Sequence, residues 1–199
     1  MSFTLCEGFF MYCLPAIMTM KTSDHVIEQT KKWITEVVIG CNFCPFAAKE
    51  IKQQTVYYHV EKSIDKAICL QAFLQECTRL NEDENIVTTL LIFPEGFTQF
   101  DDFLELLASA EDLLIANDYD GIYQVASFHP QYIFGGAPVN DAANYTNRSV
   151  YPMLHLLREE QIDQALERFP NPENIPDNNI NFAREKGVEY MKMLKDACL

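Results

Sequence analysis

Two short apolar runs separated by a helical pattern constrain the fold most. Residues 86–93 form a continuous apolar run of strand length, stopped by Pro94 and Gly96. Residues 122–128 form another, ending at His129-Pro130. Between them, Phe103, Leu104, Leu107, Ala110, Leu113 and Leu114 recur at helical spacing across residues 101–116. Strands without polar alternation belong to a sheet covered on both faces. Residues 55–60, rich in β-branched and aromatic side chains, add a strand at the front. A helix bearing Ile64, Ala67, Ile68, Ala72, Phe73 and Leu80 follows it, with Ser63 as its expected cap. Strands alternating with helices imply βαβ units and right-handed crossovers. The expected class is therefore α/β: a small sheet of three to four strands covered by helices, with a helical C-terminal segment.

The remaining helices follow from spacing and caps. Ser23 or Asp24 is placed to cap a helix with Val26, Ile27, Trp33, Ile34, Val37 and Val38 on one face. Gly40 falls where a left-handed C-cap is expected, and Pro45 opens a short helix through Ile51. Another helix is expected from Pro152, continuing near residues 161–169. A Pro/Asn-rich break at 170–176 precedes the last, from about Asp177. No repeat or linker divides residues 21–199, which read as one domain.

Between Phe128 and Pro152 lie about twenty residues without periodicity but rich in polar and aromatic groups. A connection of that length is functional or disordered, and this one carries too many aromatics for a disordered linker. It marks the expected site.

A net charge of -14 argues against nucleic acid and anionic membrane as partners, since both require basic patches. The seven cysteines are odd in number and lack a secretory signature, which suits reduced thiols in the cytoplasm. Residues 1–20 are apolar but have no basic residue before Lys21, and Glu7 and Pro15 interrupt them. They fit neither a signal peptide nor a membrane span and are expected to be a disordered or artefactual extension.

Three segments, WITEVVIGCNFCPFA (33–47), QVASFHP (124–130) and NYTNRSVYPMLHLLRE (144–159), occur in that order. Together they resemble the uncharacterised, mostly bacterial family known as domain of unknown function 1415, over nearly all of residues 21–198. The family pattern carries an apolar residue at the place of Cys41 and cysteine only at that of Cys44. That departure weighs against a dithiol mechanism. The resemblance implies a shared site without implying a reaction.

The candidate groups each have a structural alternative. His155 and Glu159, four apart on the expected helix, suit a metal or acid–base pair, or an ordinary ion pair. His129 follows a buried strand, where ligands bind in open α/β sheets; otherwise it is a histidine bonded to loop backbone. Convergence of His129, His155 and Asp141 would make a nitrogen/oxygen site for a divalent metal. Arg148, beside Asn147 and with Tyr132 and Asn144 nearby, offers a fork for an anion at a helix start, or an internal ion pair. Cys44 in the Cys41-Asn-Phe-Cys44 motif caps the Pro45 helix if it is a reactive thiol, and is buried if it is structural. The leading expectation is a small enzyme using His129, His155, Glu159 and Arg148 for metal- or histidine-assisted hydrolysis or transfer on an anionic small molecule. A non-catalytic module binding a small ligand or partner, and a thiol enzyme centred on Cys44, are the alternatives.

Overall fold

A computed structural model describes residues 21–199; the expectation for residues 1–20 lies outside the described residues. Thr22 caps α1 (Ser23–Trp33) through a bond from the His25 N–H, one residue ahead of the expected cap. The chain continues as a π-helical turn, Ile34–Ile39. Gly40 is not a left-handed C-cap, since its φ is -60°. A Cβ there would lie 2.3 Å from the Glu36 carbonyl oxygen, so glycine is required by backbone approach. The left-handed residue of this turn is Asn42, at φ 56°.

Helix α2 (Ala47–Gln53) leads into β1 (Val56–Val60). Asp65, rather than Ser63, caps α3 (Lys66–Glu82) by accepting from the Ala67 and Ile68 N–H groups. Strand β2 (Thr88–Ile92), α4 (Phe100–Ala116) and β3 (Tyr123–Phe128) follow the expected alternation.

The next element corrects the sequence reading. Residues from Pro152 do not form a helix: Met153–Arg158 is strand β4, and α5 (Glu159–Glu167) begins only after it. Strand β4 lies between β2 and β3, antiparallel to both, in a sheet of order β1-β2-β4-β3. Central strands bury both faces, so MLHLL shows no polar alternation. An apolar run of that kind is indistinguishable from a helix by periodicity. Strands β1 and β2 are parallel, as expected for a βαβ unit. Helices α6 (Ile175–Lys186) and α7 (Val188–Asp196) end the chain, separated by Gly187 at φ 80°.

The sheet divides the core. Leu91, Leu154, Leu156 and Tyr123 face α3 and α4, against Phe73, Leu80, Phe103 and Leu106. Leu90, Ile92 and Met153 face the other way, toward Val26, Trp33, Val37, Tyr145, Tyr151 and Met191. Among the described residues no helix is long and apolar enough to cross a membrane.

Candidate functional site

The long connection between β3 and β4 is ordered by its own polar groups. A 3₁₀ segment, Ala142–Thr146, is buried along its length and packs on α6 and α7. Asn144, fully buried, accepts from the Phe134 N–H and donates to the Pro138 and Val139 carbonyls. Arg148 donates to the carbonyls of Tyr132 (3.0 Å) and Val139 (2.9 Å), and its guanidinium lies 4.6 Å from the Tyr145 ring centre. Asn147 donates to the Ser127 carbonyl, while the Tyr132 ring packs between Phe100 and Phe134. Asp141 caps the 3₁₀ segment and pairs with Arg184, which holds its carboxyl down at about 2. These are the contacts of a self-supporting loop; Arg148 is not at the start of an α-helix.

His129 is likewise held from within. It is fully buried, 5.2 Å from the rings of both Phe100 and Phe103. Its Nε2 meets the Phe97 carbonyl at 2.8 Å, and Nδ1 accepts from the Gln131 N–H at 3.0 Å. A carbonyl accepts only, so Nε2 carries the proton and the ring is neutral. Burial pushes its pKa below the ordinary 6.5. Both nitrogens are engaged with backbone, on the side of the sheet that faces α4.

His155 stands on the opposite face. Its place in β4, opposite Leu90 of β2 and Ala126 of β3, points it into a cavity of about 710 Å³. That volume is typical of small-molecule sites. The sheet forms the floor with Leu90, Ala126, Phe128 and His155. Trp33 and Val38 form one wall, and α2 and α5 close over it with Ile51, Ile162 and Ala165. Phe46 and Phe169, which also line it, meet edge to face, 5.6 Å between centres.

The cavity is not confined to the expected end of the sheet but runs along its face, reaching Phe128 at the carboxyl end of β3. Val56, Thr88 and Gln124, all at the starts of parallel strands, line it. The usual crevice at the carboxyl ends is occupied instead by the ordered loop. Strand β4, inserted antiparallel, carries its own side chains across to the other end.

His155 and Glu159 consequently do not share a helical face. Glu159 is the first residue of α5, where a carboxylate suits the helix dipole, and it is not among the cavity residues. Neither His129 nor Arg148 lines the cavity. Among the described residues no three His, Cys, Asp or Glu side chains gather as a metal site, so His129, His155 and Asp141 do not converge.

The polar detail of the floor is specific. His155 Nε2 lies 2.7 Å from Thr88 Oγ1, which also bonds the Leu156 carbonyl. Burial pushes the His155 pKa down to about 4, so the ring is neutral at pH 7. Sequence reasoning passed over Thr88. A pair of threonines, Thr88-Thr89, inside a fully buried strand was the available signal, since buried hydroxyls need partners. Trp33 and Phe128 were seen only as apolar residues; they pack edge to face at 5.2 Å beside the cavity.

Cys44 lines the same cavity and is only partly buried. It is not an N-cap: α2 begins at Ala47, preceded by Phe46, and has seven residues. Cys41, Cys69, Cys77 and Cys198 are buried free thiols. Burial raises all four, Cys69 to about 11 and Cys77 to about 12. Among these five, Cys44 is expected to be alkylated first at pH 7, as peptide mapping after a timed maleimide pulse would show. Faster labelling at Cys69 or Cys77 would contradict this order.

No curated protein and no solved structure matches the chain. The sequence profile of a family described as a protein of unknown function, DUF1415, does match it over residues 25–193. That span includes β1 to β4, the ordered loop, and both the α2 and α5 walls of the cavity. The chain belongs to the DUF1415 family.

Proposed function

We propose that this protein binds a small, mostly apolar molecule in the cavity between the sheet and helices α2 and α5. The observation that carries this reading is an apolar chamber of about 710 Å³ with the His155–Thr88 pair at its floor. Apolar walls with a few fixed polar groups are the usual make-up of a small-molecule site.

Metal- or histidine-assisted hydrolysis or transfer on an anionic molecule draws less support. His129 has both ring nitrogens bonded to backbone, and Arg148 directs its fork at two carbonyls. A histidine held near 4 is a weak base at pH 7, where a catalytic base works best with a pKa close to the working pH. A thiol enzyme centred on Cys44 is the second reading, favoured because Cys44 and His155 line one cavity.

Trp33 is the single tryptophan and sits in the cavity wall. The neutral dye N-phenyl-1-naphthylamine is therefore expected to bind once per chain and to accept excitation energy from Trp33. Ala126→Phe, which fills the floor, should abolish the transfer. Absence of dye binding, or binding unchanged in Ala126→Phe, would overturn the reading.

A further inference from the structure

The hydrogen positions at the cavity floor restrict what can sit there. Thr88 Oγ1 contacts two groups, His155 Nε2 and the Leu156 carbonyl oxygen. A hydroxyl carries one proton, and a carbonyl oxygen can only accept. The Thr88 proton therefore goes to Leu156, since two oxygen lone pairs would otherwise face each other at hydrogen-bond distance. Toward His155 the hydroxyl must accept, so Nε2 carries the imidazole proton. This leaves His155 Nδ1 as a bare lone pair, with no hydrogen-bond partner among the described residues.

The other polar groups around the chamber reinforce this asymmetry. Trp33 lines the wall, but its Nε1–H is committed to the Arg148 carbonyl at 3.2 Å. Arg158 lies at the edge with its guanidinium turned to the carbonyls of Leu80, Asp83 and Ile86. Glu50 accepts from Thr55 and pairs with Lys49. Beside His155 the nearest polar groups are thus committed elsewhere, while Gln124, Gln161 and Arg168 also line the chamber, with Gln124 and Arg168 exposed to solvent.

We infer, resting on the binding reading above, that the occupant is an uncharged apolar molecule with one hydrogen-bond donor, such as a phenol, an alcohol or an N–H heterocycle, seated on His155 Nδ1. A carboxylate would set lone pair against lone pair at this point. A cation would lose its hydration in an apolar chamber without a free counter-charge at the floor. An apolar molecule without a donor would leave the histidine nitrogen unpaired and cut off from water.

Three probes on one naphthalene frame test this: 2-naphthol, 2-methoxynaphthalene and 2-naphthoate, each titrated against bound N-phenyl-1-naphthylamine. The naphthol is expected to bind about 5- to 10-fold more tightly than the methoxy compound, the scale of one neutral hydrogen bond, and the naphthoate more weakly than either. In His155→Phe the naphthol and methoxy compounds should bind equally. Thr88→Val, which frees the imidazole proton from its partner, should shrink the preference for the naphthol over the methoxy compound. Equal binding of naphthol and methoxynaphthalene by the unmodified protein overturns the inference and leaves the cavity reading standing. So does naphthoate binding best, which would assign the site to an anion. Failure of the dye to bind overturns both.

Discussion

The His155→Phe variant is expected to lose about 3 kcal/mol less stability than the unmodified protein between pH 7 and pH 4. The folded-state pKa of His155 is about 4, against an ordinary value of 6.5. Between those values the unfolded chain binds a proton that the folded protein excludes. The contribution is therefore complete above about pH 6.5 and is lost as the pH falls toward 4. The cause is burial alone, since the Thr88 hydroxyl accepts from the neutral ring and no carboxylate is bonded to it. His129 is shifted in the same direction, but it is present in both proteins and cancels in the difference. Urea unfolding of the two at pH 7, 6, 5 and 4 measures the effect. Parallel profiles across that range would mean that His155 takes up its proton freely in the folded state.

The second large effect is expected at the loop. Asn144→Ala removes three bonds at a fully buried position, leaving the Phe134 N–H and the Pro138 and Val139 carbonyls without that partner. Unmade bonds at buried groups cost roughly 1–3 kcal/mol each, with partial relaxation bringing the total to about 3 kcal/mol. For a chain of this size that lowers Tm by roughly 6–12 °C. Arg148→Ala, which removes two charge-assisted bonds and a cation–ring contact, is expected to fall in the same range. Dye binding in the folded variants should be nearly unchanged, because neither residue lines the cavity. A variant that melts normally yet fails to bind would return Arg148 or Asn144 to the site.

These two residues show how far polar composition can mislead. A run of Asn, Arg, Ser and Tyr in a long connection reads as a site because such groups bind ligands. They also satisfy backbone groups, and a buried loop of this length has many to satisfy. The choice between the roles depends on whether neighbouring carbonyls and N–H groups lie within 3 Å of the side chains. Spacing along the chain does not encode that. His129 is the same case: its position after a strand was legible, but the Phe97 carbonyl that occupies Nε2 arrives from 32 residues away.

Cys44 and His155 illustrate the converse. Each was legible as a candidate, and each lines the cavity, though for reasons different from those expected. Cys44 is there because the turn after the π-helical segment brings residues 44–47 over the sheet, with no helix cap involved. His155 is there because strand alternation points it downward from a central strand.

From the sequence alone came the alternation of strands and helices, the three parallel strands to within two residues at either end, the terminal helices and the family. These follow from local physics: apolar runs of strand length, helical spacing, caps and breakers act over a few residues and leave their marks in order along the chain. The tertiary structure decided what local patterns cannot carry. MLHLL became a strand because both its faces are covered, by α3 and α4 on one side and by the cavity and the α1 layer on the other. Its insertion between β2 and β3 put His155 against Thr88, 67 residues away in the chain. That pairing fixes the imidazole proton on Nε2 and leaves Nδ1 as the bare lone pair of a residue that lines the cavity, because a hydroxyl has one proton and the Leu156 carbonyl already takes it.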